Sequence, residues 1–392
     1  MMNKKNRTPA ILLIILLALF AFHFSQYQFK WIKLKPLSGY YIDSNKVKFT
    51  WNDWLSGTYQ ESQDKYLNDH VGFRNFFIRL NHQLRFSLFN IAKAQRVIVG
   101  KENYLYEESY IIAYYGDDFI GEDNIEQRLY KLKMLQDTLN NMEKKIIAVL
   151  APGKGSFFPE YIPDSYHKER TTTNIEVYRK YIEEYNINCI DFHQYFIDNK
   201  YTSPYPLYPQ YDVHWSYYGQ CLALDSMIRY VEQLKNIEMP HVYWENMRIG
   251  QPPKDYDCGI AQAMNLLFRP RTFDLAYPVL QCESDEGKTK PSLLVVSDSF
   301  YWGMYNMGME YYFANDHFWY YNKEIYPENF YNPFTTEEVN LHEEILKYDV
   351  IIILGTDANL PGFGWGFIEN AYEIFYPSES DSINLSTFAN KL

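Results

Sequence analysis

The sequence is poor in the arrangements that hold metals and nucleotides. It has four cysteines but no C-x-x-C pair, and nine dispersed histidines but no H-E-x-x-H. Neither a structural nor a catalytic zinc is expected from that pattern. No G-x-S-x-G turn is present, which argues against the α/β-hydrolase class. Gly362-Phe363-Gly364-Trp365-Gly366 lacks the lysine of a phosphate loop and the spacing of a dinucleotide fingerprint, so it reads as a flexible loop. Positive charge is also scarce: 37 Lys and Arg stand against 49 Asp and Glu, a net charge of −12. Phosphate backbones call for a basic surface, so nucleic acid is not the expected partner. Repeats, heptads and low-complexity tracts are missing. A hydrophobic content of 47% excludes a wholly disordered or collagen-like chain.

Aromatic residues, by contrast, are plentiful, with 38 tyrosines, 26 phenylalanines and 8 tryptophans in 392 residues. Flat aromatic faces suit sugar rings, although a general composition bias explains the count equally well. Only one long apolar run occurs, Ala10 to Phe22, preceded by Lys4, Lys5 and Arg7. The run has the length of a signal core and is short for a spanning helix. It extends through His23 and Phe24 toward Trp31, with Tyr27 and Trp31 as interfacial anchors. Leu19-Phe20-Ala21 is a poor cleavage site, which favours an uncleaved signal anchor over a cleaved leader. Lys30, Lys33 and Lys35 balance the cations ahead of the run, so charge alone does not orient it. The usual outcome for such a leader is a short cytoplasmic N-terminus and an exported body. Residues 1–35 are therefore assigned to the anchor and 36–392 to one exported domain. Cys258 and Cys282 flank a loop-rich stretch and are the pair expected to be bridged; Cys189 and Cys221 fall in a strand and a helix.

Along the body, Gln63 to Asn90 carries Phe73, Phe77, Leu80, Leu84 and Leu88 at helical spacing. Residues 96–106 read as a β-hairpin. An alternation follows. Helices are predicted over Asp123–Lys144, with Asp123 as N-cap, Asn174–Tyr185, Ser216–Lys235, Glu338–Lys347 and Gly366–Phe375. Strands are predicted over Ile146–Leu150, Ile187–Phe192, Leu293–Val296 and Val350–Leu354. Residues 240–290, rich in turns and charge, read as an insertion. Short apolar strands separated by amphipathic helices predict an α/β fold, a mostly parallel sheet with helices on both faces. Sites in such folds gather at the strand-end loops.

Two such loops hold reactive residues. Asp212-Val213-His214-Trp215 precedes the helix capped by Ser216, and Ser297-Asp298-Ser299-Phe300 ends a buried strand. A serine hydroxyl needs a base to become a nucleophile, histidine is the usual base, and a carboxylate fixes its tautomer. Asp212 can reach His214 within one turn. Ser299 at a strand end can stand exposed, and its own N–H can help hold an oxyanion. Each segment alone has a bland reading, a packed core histidine and a helix cap. Together, at strand ends of one α/β pattern, they favour a site with Ser299 as nucleophile, His214 as base and Asp212 as its orienting acid. Trp215, Phe300, Tyr301 and Trp302 are expected to line its cleft, with ordinary core packing as the alternative.

At these residues the chain resembles the DHHW family of SGNH-hydrolase-like proteins, related to the periplasmic alginate O-acetyltransferases. Residues 67–86 and 97–105 look like the family's N-terminal helix and hairpin, and 150–163 (LAPGKGSFFPEYIP) like its Pro-x-Lys…Pro-Glu-Tyr-x-Pro segment. Asp212-Val213-His214-Trp215 matches the D-x-H-W signature. Ser297-Asp298-Ser299-Phe300 matches the G-D-S-F block with serine in place of glycine, a change that would matter if the position needed positive φ. The stretch after the last strand, Gly355 to Asn359, is less acidic than the family's, and Asn359 is a candidate oxyanion or substrate contact.

The resemblance covers roughly residues 60–360. It implies an SGNH-like three-layer α/β/α sandwich behind an N-terminal membrane helix, with the nucleophile block after the D-x-H block. It implies the same triad, no metal and no bound cofactor, and an acetyl donor delivered by a partner or as an ester. The expected activity is O-acetyl transfer to a cell-envelope or secreted polysaccharide through an acetyl-serine. The expected partners are that polysaccharide and a multi-pass membrane acyltransferase acting as acetyl relay. The body is then periplasmic or otherwise extracytoplasmic, held at the inner membrane. Two alternatives stay open: an acetylesterase of the same fold, and a non-catalytic glycan-binding or assembly protein.

Overall fold

Every residue of Val350-Ile351-Ile352-Ile353-Leu354 is apolar, which suits a strand covered on both faces. The computed structural model, which describes residues 7–39, 44–250 and 254–377, places that strand inside the main sheet. In chain order the strands are β1 (Val97–Val99), β2 (Leu105–Glu107), β3 (Lys145–Ala151), β4 (Cys189–Asp191), β5 (Val242–Tyr243), β6 (Met247–Gly250), β7 (Leu275–Pro278), β8 (Gln281–Cys282), β9 (Ser292–Ser297), β10 (Ala314–Tyr320), β11 (Glu324–Tyr326) and β12 (Val350–Thr356). Six of them form the sheet β11-β10-β9-β12-β3-β4. All neighbours run parallel except β10 and β11. β1 and β2 make the expected antiparallel hairpin.

Alternate residues divide between the two faces of the sheet. Ile146, Ala148, Leu150, Leu294, Val296, Ile351 and Ile353 pack under the helices Glu122–Asn141, Asn174–Glu184 and Phe367–Phe375. The first helix contributes Ile125, Leu129, Leu132, Leu135 and Leu139 at three- and four-residue spacing. Ile147, Val149, Val295, Ile352 and Leu354 turn the other way and are equally buried. Both faces are therefore covered, and the α/β/α sandwich expected from the sequence is the fold observed.

β4 follows β3 outward on one side, β10 follows β9 outward on the other, and β12 returns between them. The crossovers diverge around β12. The carboxyl ends of β3, β9 and β12 thus open on a common crevice, the place where such sheets bind ligands.

Contacts divide the chain into two units, residues 1–95 with 261–270, and residues 96–260 with 271–392. The first unit extends past residue 35, and its N-terminal helix meets the turn at Gly72 and Phe73 through His23 and Phe22. In that first unit the helix Arg7–Phe29 contains the stretch Thr8–Phe29, long and apolar enough to cross a membrane, with none of its most apolar window buried. At 1.5 Å per residue it spans about 33 Å, enough for a hydrocarbon core of about 30 Å. The single helix expected over 63–90 is two, Thr58–His70 and Arg74–Phe89. The break falls where Phe73, at φ 65°, stacks on Phe22 at 4.6 Å. A Cβ on Gly72 would lie 2.1 Å from the His23 carbonyl, so only glycine lets the turn approach the first helix this closely. Arg79 fastens the 261–270 segment, donating to the carbonyls of Leu266 at 3.1 Å and Pro36 at 2.7 Å.

Smaller corrections have local causes. The helix expected to be capped by Asp123 starts one residue earlier, behind Gly121 at φ 91°. The strand expected to reach Phe192 ends at Asp191, whose carboxylate caps the helix Phe192–Asp198 by accepting from the Gln194 N–H at 2.8 Å. Residues 240–290 hold two small antiparallel ladders, β5 with β8 and β6 with β7. Cys258 and Cys282 are not bridged. Each thiol donates to a nearby carbonyl, Cys258 to Lys254 and Cys282 to Glu283.

Candidate active site

Three strand ends build the crevice floor. β3 runs into Pro152-Gly153-Lys154, β9 into Asp298-Ser299 and β12 into Asp357. The loop before the helix Tyr217–Lys235 brings a fourth segment, Asp212–Trp215, over the same edge. That helix is capped as expected, by the Ser216 hydroxyl accepting from the Gly219 N–H at 3.0 Å.

Ser299 opens a turn of 3-10 helix, Ser299–Tyr301. As its first residue, Ser299 has an N–H with no partner inside the helix. The Ser299 Oγ lies 2.9 Å from His214 Nε2, and His214 Nδ1 lies 2.8 Å from Asp212 Oδ1. Asp212 is buried, and its Oδ1 also accepts from the N–H groups of Val213 at 2.7 Å and His214 at 3.0 Å. Its Oδ2 accepts from the Gly259 N–H. Burial alone would raise this carboxyl, but the hydrogen bonds and charge of His214 together with the backbone donors hold it below the usual carboxylate range. For His214 the balance tips likewise. Burial pulls the imidazole down, while the hydrogen bond and charge of Asp212, with the charges of Asp298 and Glu107, raise it above its ordinary value.

Two buried charged groups fix the blocks. Asp298 Oδ1 accepts from the Phe300 N–H at 3.0 Å. Its Oδ2 accepts from the Thr356 N–H and hydroxyl, both at 3.0 Å, and from the Asn359 amide at 2.8 Å. The carboxylate therefore ties the Ser299 turn to the end of β12. Burial pushes its carboxyl up, and the four donors pull against that shift. Lys154 is fully buried, and its Nζ donates to the carbonyls of Gln210 at 2.7 Å and Asp212 at 2.6 Å. Burial lowers its amine to about 7, with Asp212 opposing. A neutral amine still has an N–H for each carbonyl, so Lys154 holds the Asp212 loop in either form.

Residues 97–245 match the family model described as the SGNH hydrolase-like domain of the acetyltransferase AlgX. No curated protein matches the sequence. Among solved structures, the chain is similar to the O-acetyltransferase domain of Pseudomonas putida AlgJ, at 12% identity and a TM-score of 0.44, covering 68% of this chain and 92% of that one. It is similar to Bacillus cereus PatB1 carrying a sulfonyl adduct, at 13% identity and a TM-score of 0.45, covering 69% and 99%. A DHHW family protein from Eubacterium siraeum matches at 12% identity and a TM-score of 0.41, covering 70% and 94%.

The cleft beside the dyad encloses about 490 Å³ and is lined by His214, Tyr217, Ser299, Phe300, Trp302 and Gly303 among others. Of the five residues expected to contact substrate, Phe300 and Trp302 line the cleft. Phe300 is buried with its ring 4.8 Å from that of His214. The 3-10 turn repeats every three residues, which sets Trp302 on the same side as Ser299 and turns Tyr301 inward. Tyr301 is accordingly a core residue against Phe318. Trp215 is fully buried between Phe192, Phe196 and Phe300. Asn359, half-buried, donates its amide to Asp298 and to the Thr356 hydroxyl and so positions the turn.

Ser297 is not strained. It lies in β9, paired with Leu354 and Tyr320, and is absent from the residues of positive φ. Sequence reasoning missed Tyr321, at φ 51° just after β10, whose side chain faces Ser299. Nothing local marks it, because β10 itself was not predicted. Among the described residues, no group of three or more His, Cys, Asp or Glu side chains could hold a metal ion.

Proposed function

We propose that the protein is a serine-dependent O-acyltransferase that acetylates hydroxyls of a polysaccharide. The observation that carries this reading is the continuous hydrogen-bonded line from Ser299 Oγ through His214 to Asp212, opening on a cleft. The match to an acetyltransferase domain over residues 97–245 supports the acyl chemistry. Ser299 Oγ attacks the carbonyl carbon of an acetyl donor while its proton passes to His214 Nε2. The imidazolium is stabilised by Asp212. The Ser299 N–H, which has no partner within its own turn, holds the oxyanion. The donor's C–O bond breaks, its leaving group takes the proton from His214, and acetyl-Ser299 remains. A sugar hydroxyl then gives its proton to His214 and attacks the acetyl carbon. The proton finally returns to Ser299 Oγ.

The apolar helix Thr8–Phe29 supports an anchored body outside the cytoplasm at the inner membrane. A donor made in the cytoplasm then reaches Ser299 through a multi-pass membrane acyltransferase. The test uses the full chain in detergent with a chromogenic acetyl ester. Peptide mapping should place acetyl on Ser299, and added polysaccharide should take it up in preference to water. Folded protein that never acquires acetyl would overturn the reading, and acetyl lost only to water would turn it into an esterase.

A further inference from the structure

Outside the crevice, the Tyr- and Pro-rich stretch ahead of Asp212 walls a second cavity of about 290 Å³. Its floor is aromatic and buried, with Phe157, Phe158 and Tyr208. Tyr161 stacks on Tyr104 with centroids 3.7 Å apart and planes within 4°. At the rim stands Tyr201, 85% exposed. Lys200 lies across the aromatic wall, its Nζ 4.9 Å from the Phe158 centroid and 5.2 Å from that of Tyr201, and it is paired with Glu160.

We propose that this cavity is a glycan subsite that grips one uncharged pyranose ring of the acceptor chain, away from the residue being acetylated. Two features select that ligand. The flat tyrosine and phenylalanine faces match the C–H face of a pyranose ring, and the small volume suits one ring, lying just under the range of about 300–1,000 Å³ typical of small-molecule sites. Lys200 and Glu160 neutralise each other, so the site offers a donor and an acceptor to neighbouring hydroxyls without net charge to draw a uronate or phosphate. A protein partner would instead need a far larger complementary surface, about 800 Å² per side.

Position ties the cavity to the crevice. Residues 200–208 form its wall, and Asp212 and His214 follow in the same segment. That segment is pinned between by the Tyr208 hydroxyl on the Pro152 carbonyl at 2.7 Å and by Lys154 on the Gln210 carbonyl. His214 lies six positions beyond Tyr208, at most about 22 Å of fully extended chain. A ring held here therefore leaves a few further rings of the same chain free to reach Ser299. The inference rests on the acceptor being a glycan, and it extends that reading by placing a second contact.

Binding tests it without catalysis. Full-length Ser299→Ala protein, in a detergent whose headgroup is not a sugar, is titrated with cellohexaose and maltohexaose up to millimolar concentration by saturation-transfer NMR. Ring stacking tolerates either linkage, so binding of at least one is expected. Addition of Tyr201→Ala and Glu160→Gln should weaken it at least tenfold, and Tyr201→Ala alone should already weaken it with an unchanged melting curve, because that side chain is 85% exposed. No binding of either oligomer, or binding indifferent to the two substitutions, would overturn the subsite. Acetylation of wild-type Ser299 by the small ester, measured alongside, reports on the proposed chemistry by itself, so the two can fail separately.

Discussion

Replacing Asp212 by asparagine separates charge from geometry at the relay. The asparagine can be seated in two ways. With its carbonyl where Oδ1 was, it keeps the bonds from Val213, from the His214 backbone and from His214 Nδ1, and it sets its NH2 against the Gly259 N–H. Flipped, it satisfies Gly259 alone and opposes donors at three places. The first arrangement wins by bond count, so the histidine tautomer that accepts from Ser299 survives. What is lost is the charge and one backbone bond. An orphaned buried N–H costs about 1–3 kcal/mol of stability. A neighbouring carboxylate is worth about 1–3 pKa units to an imidazolium, or about 1.4–4 kcal/mol, so acetylation of Ser299 should slow by roughly 10- to 1,000-fold. The pH profile carries the sign. Wild-type rate should rise with pH through a midpoint above 6.5, the ordinary value, because the base must be neutral and Asp212 holds its proton on. In Asp212→Asn that limb should move to lower pH. The assay is pre-steady-state release from a chromogenic acetyl ester across pH 5–9, with urea melts in parallel. A loss as complete as that of Ser299→Ala in folded protein would refute the tautomer reasoning. An unshifted limb would refute the role of Asp212 as the charge partner of His214.

Three further outcomes follow from named contacts. Ser299→Ala should end acetyl capture, read by intact mass, while stability stays within about 1 kcal/mol because one part-exposed hydrogen bond is lost; a matching loss of folded protein would assign Ser299 a structural role. Lys154→Met should abolish a pH dependence of stability. With the folded amine lowered to about 7 from 10.5, the unfolded chain binds more protons between those values. Wild type should therefore gain on the variant by up to about 1.4 kcal/mol per pH unit as pH rises from 7 toward 10, and parallel urea curves across that window would contradict it. Gly303→Ala would place a Cβ 1.5 Å from the Gln220 side-chain oxygen, whose amide holds the Trp215 carbonyl at 2.9 Å. Expelling that amide should cost about 1–3 kcal/mol in a thermal or urea melt, the price of a buried carbonyl left bare, and an unchanged melt would show that Gln220 has room to move.

Much of this is legible in the sequence. Apolar strands such as Val350–Leu354 and the periodic helix around Leu129–Leu139 announce a two-faced parallel sheet, because burial on both faces leaves no polar alternation. Asp212 and His214 are neighbours in sequence, so their pairing is a local matter. Where signals were mixed, the reading failed. β10 reads ANDHFWY, polar through its first half, and was missed, and Tyr321 was missed with it. The aromatic residues around Ser299 share one short turn, and their division between cleft and core was set by the three-residue repeat of that turn, which no hydropathy pattern encodes. The Cys258–Cys282 pairing failed because proximity of two thiols depends on how β8 and the start of the Gly259–Ala263 helix are each anchored.

The sequence by itself determined the α/β alternation, the strand-end placement of the Ser299 block, and the apolar N-terminal helix, since each follows from local periodicity or a local motif, whereas the Asp212 block lies in a loop between two helices and not at a strand end. Only the tertiary structure decided that Ser299 meets His214 across 85 residues, that Asp298 and Lys154 are spent on holding the blocks in place, and that Trp215 and Tyr301 face inward. Those outcomes depend on which strand ends share an edge. The sheet order fixes that through long-range burial and the divergence of crossovers around β12, and no window of neighbouring residues contains it.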